Sequence, residues 1–202
     1  MIRLFPLSSP AHFRLVTHWL QQTENSQWLD FGHGSQPVSQ ALLHIMAQRP
    51  SNFLRLYSAP HDEDTPIGIC GLHNVDRQFG TATLWGVAGD KSFRHRGLGQ
   101  AAAADFLTLA FRELSLNAIN TWVVEHNTSR RSVDRLGFRY AGRLRQCHRM
   151  DGIAYDRLLF DLLAEEHLNR VEGRFDRSRR REAASSVTLL DGGAEATDAL
   201  QG

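Results

Sequence analysis

The sequence is poor in cysteine and has no long apolar segment. Its 202 residues include two cysteines, Cys70 and Cys147, without a CxxC spacing, which excludes a disulfide framework and a thiol-based metal or redox motif. We expect both to be buried, reduced thiols. No apolar run approaches the roughly 20 residues of a membrane span, and the N-terminus lacks the features of a signal peptide. These absences indicate a cytoplasmic protein without a membrane partner.

An excess of charge of one sign is also missing. The chain has 23 Lys and Arg against 22 Asp and Glu, a formal net charge of +1. Dedicated nucleic-acid-binding domains are usually far more basic, so nucleic acid is not expected as a partner. The charge is nevertheless uneven, because residues 1–90, 91–163 and 164–202 carry −2, +5 and −2. The middle segment is therefore suited to one localised polyanionic ligand.

Metal-binding patterns are absent as well. The ten histidines are scattered along the chain, and none forms an HExxH or HxxxH spacing. The polar residues around Cys147 do not supply a ligand quartet either. We expect no metal.

The first third of the chain alternates strand and helix patterns. A short strand is indicated over Ile2–Leu7, a helix begins at Pro10, and a second helix spans Val38–Gln48 before Pro50. The turn-rich loop Thr23–Gln36 separates the two helices, and its aromatic residues either pack into the core or cover a ligand.

From residue 53 the apolar residues alternate with period two. Three short strands follow one another up to residue 89, which indicates an antiparallel meander. A long helix follows Asp90, then a buried strand, a short helix closed by Gly137, and two strands joined by an Asp151-Gly152 turn. The order β-α-α-β-β-β-α-β-α-β-β predicts a mixed α/β fold around one sheet.

A composition change near Glu165 predicts a domain boundary. Residues 1–164 form the expected domain, and residues 165–202 form a tail that is first charged and then rich in Gly, Ala and Ser. We expect the tail to be mobile. Its arginines, within residues 170–181, could contact RNA, but acidic residues beside them favour a solvated segment.

The most informative stretch lies between the third strand of the meander and the long helix. Glycines let the backbone approach a ligand, and the free N–H groups of a helix's first turn attract phosphate. The spacing is RxxGxG, which is neither a Walker A loop nor a dinucleotide fingerprint. Its residues are Arg94, His95, Arg96, Gly97, Leu98 and Gly99.

With this loop in this position, the sequence resembles the GNAT superfamily of acyl-CoA-dependent N-acyltransferases. Its later motifs, from Val123 to Asn127, then Gly137-Phe138 and Tyr155-Asp156, are most similar to the RimJ and RimL subgroup. The resemblance covers roughly residues 1–163. It implies a largely antiparallel sheet flanked by helices and an acyl-CoA, usually acetyl-CoA, as co-substrate.

The resemblance also implies where the acyl-CoA binds. The RxxGxG loop would hold the pyrophosphate, and a backbone amide at Val87 or Ala88 would polarise the thioester carbonyl. The side-chain amide of Asn127 would contact the pantetheine arm. An Asn before a helix is equally suited to a turn or cap.

For the catalytic acid, the resemblance points to Ser129, which matches the subgroup's proposed proton donor to the CoA thiolate. In the subgroup, one more residue lies between the asparagine and this serine than between Asn127 and Ser129. The alternative role of Ser129 is a helix N-cap. Many related enzymes place a tyrosine three residues before the Gly-Phe pair. This chain has Asp134 there, and an ionised carboxylate cannot donate a proton.

For the base, the relevant position lies eleven residues beyond Gly137 and holds His148. An imidazole with a pKa near 6.5 can accept a proton near neutrality. Strand alternation predicts that His148 shares a face with Gln146 and Met150. His73 and His126 are rival candidates, and a mechanism with water and no dedicated base is a further alternative.

The expected function is transfer of an acyl group, in most cases acetyl, from CoA to a primary amine. The acceptor is either a small molecule or a protein N-terminus, and a homodimer is compatible with the family. The alternative from another class is a catalytically silent CoA-binding or interaction module.

Overall fold

Seven strands of the computed structural model form a single mixed sheet. The structure describes residues 2–32, 38–93 and 96–173. The strands are β1 (Leu4–Phe5), β2 (Phe53–Ala59), β3 (Asp62–Asp76), β4 (Thr81–Ala88), β5 (Ala118–Val124), β6 (Arg139–Met150) and β7 (Ile153–Leu163). Their order in the sheet is β1-β2-β3-β4-β5-β7-β6. All neighbours are antiparallel except β4 and β5, which confirms the predicted fold class.

Five α-helices accompany the sheet within the first 164 residues of the described chain. They are α1 (Pro10–Gln21), α2 (Thr23–Ser26), α3 (Gln40–Gln48), α4 (Leu98–Leu114) and α5 (Arg130–Leu136). Serine caps start the first and third of them: the Ser9 hydroxyl accepts from the His12 amide and the Ser39 hydroxyl from the Leu42 amide, both at 3.1 Å. Each cap satisfies an N–H group that the helix cannot pair internally.

Two apolar clusters hold the helices to the sheet. One packs α4 against the sheet around Phe106, Leu107 and Ile119. The other packs α1 and α3 around Val16, Leu20 and Leu43. Both clusters include residues of β2, β3 and β4, whereas β6 is largely exposed.

The structure differs from the predicted elements at three places. The first strand is shorter than Ile2–Leu7, and the loop Thr23–Gln36 begins with the short helix α2. Strand β3 starts at Asp62, within residues that the sequence predicts to form a turn. Bulges at Ser58 let β2 and β3 stay paired there. Such bulges accommodate extra residues without ending the strand pair.

The tail is described only at its beginning. Contacts divide the chain into Met1–Ala164 and Glu165–Gly202, and residues 164–173 are helical. The predicted mobile segment beyond residue 173 lies outside the described residues. Within the described ranges, no helix is both long and apolar enough to cross a membrane.

Candidate active site

A cleft opens where β4 and β5 part. The two parallel strands pair from Thr81 and Ala118 to Thr83 and Asn120, and beyond this point they diverge. A cavity of about 420 Å³ lies at the divergence, bordered by β4, β5, the first turns of α4, helix α5 and the segment 28–31. Both strands therefore present backbone groups to the cavity instead of to each other.

The direction of these backbone groups follows from one hydrogen bond. The Thr121 hydroxyl on β5 donates to the Leu84 carbonyl at 3.0 Å, so Leu84 directs its peptide groups toward β5. Backbone groups alternate in direction along a strand. The amides of Gly86 and Ala88 thus face the cleft, whereas that of Val87 faces β3. Of the two predicted backbone donors, Ala88 has the suitable direction.

The glycine loop leads into α4 beside the cleft. Gly97 is the N-cap of α4 with φ 73° and ψ 0°, a left-handed conformation that glycine adopts without a Cβ penalty. No atom of the described residues lies within 4 Å of a Cβ placed there, so these residues leave space open before the unpaired amides of the helix. Arg96 stacks over Phe93, with 5.2 Å from the guanidinium carbon to the ring centroid. Leu98 is the first helical residue.

Two of the six loop residues, Arg94 and His95, lie outside the described residues. Gly99 and the following Gln100 line the cavity. A Cβ on Gly99 would lie 3.2 Å from the Tyr57 hydroxyl, so a small residue keeps α4 close to the sheet. The arrangement of backbone amides, helix start and open space is suited to an anionic group.

Asn127 and Ser129 lie on the opposite wall of the cavity. The Asn127 side-chain oxygen accepts from the Ser129 amide at 2.8 Å, so this residue has the predicted turn role. Its side-chain NH₂ group is not used by that contact. The Ser129 hydroxyl makes no helix-cap hydrogen bond and lines the cavity, whereas Asp134 is exposed and does not border it.

His148 is buried and engaged at both ring nitrogens. Its Nε2 lies 2.7 Å from the Gln27 carbonyl, and its Nδ1 accepts from Arg157 at distances of 2.9 and 3.2 Å. The proton therefore resides on Nε2. Desolvation lowers the pKa of His148, and the Arg157 charge acts in the same direction. This neutral imidazole takes up a proton only after one of its two contacts opens.

The predicted alternation along β6 is wrong at His148. Leu144 and His148 are four positions apart, whereas their partners on β7 are only two positions apart. The extra residues form a bulge in which Gln146 has φ 50° and its amide donates to Asp156. A bulge changes which face a side chain occupies. His148 is consequently buried beside Gln27, whereas Gln146 is exposed.

Arg157 connects His148 to residues 28–31, the loop segment that covers the cavity. It donates to Asp30 at 2.7 Å and stacks on Trp122 at 3.9 Å. These contacts hold the pKa of Asp30 below its usual value, the Arg157 hydrogen bond being the largest cause. Asp30 therefore stays a carboxylate at neutral pH, and the bond fixes the loop after α2 to β7.

The aromatic residues of this loop form the cover of the cavity. Phe31 contacts Trp85 edge-on at a centroid distance of 4.9 Å, and Trp28 contacts His126 edge-on at 5.3 Å. Trp28, Phe31 and Trp85 all line the cavity. The sequence left two roles open for the aromatic residues of this loop, packing into the core and covering a ligand. The structure supports both roles.

Lys91 lines the cavity, although no predicted motif includes it. It is the one lysine of the chain, and its ammonium donates to the Ala88 carbonyl at 2.8 Å and to the Asn25 side chain at 2.5 Å. It thereby connects the end of β4 to α2. A single lysine immediately after a strand was the signal that could have found it.

The two cysteines differ in environment, and the expectation of burial is wrong for Cys147. Cys70 is buried at the cavity floor, and burial raises the pKa of its thiol to about 12. It is a poor nucleophile, because the thiolate is the reactive form. Cys147 is exposed, since the bulge of β6 turns it outward.

Thiol labelling tests this difference. In the native protein, a chromogenic disulfide reagent is expected to react rapidly with Cys147 and slowly with Cys70, and Cys70 reacts after denaturation. A Cys147→Ser variant provides the control, because it should lose the rapid phase. Rapid labelling of that variant would contradict the burial of Cys70.

Comparison with known proteins identifies the family. The chain matches the acetyltransferase (GNAT) family over residues 17–138 and belongs to it. YdaF of Bacillus subtilis (strain 168), named as a candidate ribosomal N-acetyltransferase, is 32% identical over 100 residues, 49% of this chain and 54% of YdaF. The uncharacterised N-acetyltransferase p20 of Bacillus licheniformis is 29% identical over 107 residues, 52% of this chain and 60% of p20. The aligned part spans little more than half of these curated relatives.

Solved structures show the same fold over most of the chain. Spermidine N-acetyltransferase from Vibrio cholerae, in complex with CoA and spermine, aligns with a TM-score of 0.72 and 14% identity over 83% of this chain and 98% of that one. RimJ of Mycobacterium smegmatis, in complex with CoA-disulfide, has a TM-score of 0.66 and 23% identity over 82% of this chain and 83% of its own. The resemblance to GNAT proteins of the RimJ and RimL type is confirmed.

Proposed function

We propose that the protein is an acyl-CoA-dependent N-acyltransferase, acting as an N-acetyltransferase on a primary amine. The observation that carries this proposal is the separation of β4 from β5 beside the start of α4. It combines open strand edges, a cavity with apolar and polar lining residues, and the amides of a helix start in one cleft. Related structures hold CoA or a CoA derivative, which supports the same co-substrate here.

The cofactor-binding residues proposed from the sequence fit an acyl-CoA. Among the described residues, Gly97 leaves open space at the start of α4, and the three residues that precede it in the sequence, Arg94, His95 and Arg96, include two arginines. Leu98 and Gly99 contribute first-turn amides, and Asn127 lines the same cavity. A pyrophosphate requires such converging donors.

Catalysis proceeds by direct attack of the amine on the thioester. Acyl-CoA supplies an activated acyl carbon, and the Ala88 amide donates to the negative charge that develops on the carbonyl oxygen. The C–N bond forms and the C–S bond breaks. Ser129 gives its hydroxyl proton to the departing thiolate and regains the proton that the amine nitrogen loses, directly or through water. No acylated cysteine is required, which agrees with the raised pKa of Cys70.

His148 acts in this proposal through its neighbours. Because both ring nitrogens are engaged, it fixes Gln27 and Arg157, which in turn hold the cover of the cavity. This differs from the general-base role expected from the sequence. The acceptor remains a small-molecule amine or a protein N-terminus.

A two-part assay tests the proposed function. Thermal-shift titration with acetyl-CoA, longer acyl-CoAs and free CoA should show saturable stabilisation, since ligands that bind the native state raise its stability. Release of free thiol should then depend on an added amine. Binding without release for any amine would establish the silent CoA-binding module instead.

A further inference from the structure

We propose that Asp30 and His73 form the acceptor-ammonium subsite and that it takes an apolar monoamine. The inference rests on the proposed acyltransferase function and concerns the end of the cavity covered by the loop after α2. Among the described residues that line the cavity, Asp30 is the one acidic side chain and Lys91 the one lysine or arginine. The cavity is therefore not an anionic pocket, and one carboxylate decides where a cation binds.

Asp30 retains the capacity to bind an ammonium group. One carboxylate oxygen accepts from the Gly32 amide at 2.8 Å and the other from Arg157 at 2.7 Å. An ionised carboxylate offers about four acceptor positions, so each oxygen has a second lone pair. The side chain is 36% exposed and borders the cavity, so a ligand can reach these positions.

Among the described residues, His73 is the one histidine that borders the cavity, and it is placed to accept a proton. Its ring meets Phe31 edge-on at a centroid distance of 6.0 Å, and no hydrogen bond occupies its nitrogens within the described part of the chain. The other two candidates are differently placed. His148 has both nitrogens engaged, and His126 packs between Trp28 and Tyr155.

The surroundings keep His73 neutral and ready to act as a base. Burial lowers its pKa below 6.5, and the nearby charge of Asp30 opposes this shift. Its strand partner across β4 is the uncharged Thr83. Arg157 pairs with Asp30 at 2.7 Å and offsets part of its charge.

The charge pattern selects against polyamines. A second ammonium group in the cavity would find no further carboxylate among its described lining residues, and the carboxylate of nearby Glu24 already pairs with Lys91 at 3.5 Å. The remaining walls at this end are the aromatic rings of Trp28, Phe31 and Trp85. An amine with a single charge and an apolar body matches one anion and aromatic walls.

The proton balance of the step is complete. The acceptor binds as R–NH₃⁺ against Asp30, and His73 takes one proton through intervening water, which frees the lone pair for C–N bond formation. The second proton leaves the nitrogen as the C–S bond breaks, and the thiolate is protonated to give CoA. The proton on His73 then returns to water.

The test compares acceptors and matched variants of the full chain. With acetyl-CoA as donor, kcat/KM for 2-phenylethylamine should exceed that for spermidine at least about tenfold, the factor that corresponds to about 1.4 kcal/mol. His73→Gln should lower kcat about 100-fold, within the range of general-base contributions, and remove the loss of kcat below pH 6.5. Asp30→Asn should raise KM for the amine about tenfold. Asp30→Glu keeps the negative charge and should raise KM less.

His61→Gln, an exposed histidine in the β2–β3 turn, serves as the control and should leave every parameter unchanged. Preference for spermidine, or an unchanged acidic limb of the pH profile in His73→Gln, would overturn the inference while leaving acyl transfer intact.

If no amine causes release of CoA thiol, the proposed function fails. Equilibrium titration of 2-phenylethylamine into the CoA-saturated protein then tests the subsite by itself. Binding lost in Asp30→Asn supports the subsite, and Asp30-independent or absent binding overturns it.

Discussion

A Gly97→Val variant is expected to bind CoA at least about 100-fold more weakly than the unaltered protein, a loss of about 2.7 kcal/mol. The left-handed conformation of Gly97, with φ 73°, costs a β-branched residue roughly 1–2 kcal/mol. The described part of the chain leaves open space around this position, so the new side chain extends into the region proposed for phosphate. Calorimetric titration with CoA measures the affinity.

Gly152→Val is the matched control for this experiment. Gly152 has φ 79°, nothing lies within 4 Å of a Cβ placed on it, and it occupies the β6–β7 turn, away from the cavity lining. Both variants should therefore lose similar amounts of folding stability, while only Gly97→Val loses CoA affinity. Equal affinity in the two variants would contradict the assignment of the loop.

Ser129→Ala is expected to lower kcat about 100-fold, as for other general-acid groups, with little change in CoA affinity. The reason is that the Ser129 hydroxyl lines the cavity and makes no cap hydrogen bond, so its removal leaves α5 intact. Steady-state kinetics with saturating acceptor measures the effect.

Ser132→Ala distinguishes a catalytic hydroxyl from a merely nearby one. Ser132 also lines the cavity and lies one helical turn beyond Ser129, so its loss should change kcat less than about threefold, in the range of a lost neutral hydrogen bond. If both variants keep full turnover, the thiolate receives its proton from water and Ser129 has no catalytic role.

The element order was predictable because each element carries its own local signal. Alternating apolar residues marked β2 to β4, Gly137 closed α5, and Asp151-Gly152 formed the expected turn with positive φ at both residues. Such two-residue turns match the twist of the paired strands. The resemblance to known acyltransferases then located the cleft beside β4.

The position of His148 was not predictable, because it depends on a bulge. Strand period alone places His148 and Gln146 on one face, yet the Gln146 amide bonds Asp156 across the sheet and breaks the alternation. No local pattern marks this long-range contact. The sequence therefore suggested a general base where the structure has a buried imidazole with two partners.

The acceptor end of the site depends on contacts between distant segments. Arg157 lies 127 residues beyond Asp30, and Lys91 lies 66 residues beyond Asn25. Each pair forms only once the sheet brings the loop after α2 against β4 and β7. Single-residue signals such as the lone lysine could draw attention to these positions, but they could not supply the partners.

A crystal structure of the protein with CoA tests the central claim most directly, because it locates the thiol relative to the cleft. The account predicts electron density for pantetheine between β4 and β5, with the pyrophosphate at Gly97 and the sulfur near Ser129. Density for CoA outside the β4–β5 gap, with the gap filled by side chains, would contradict it.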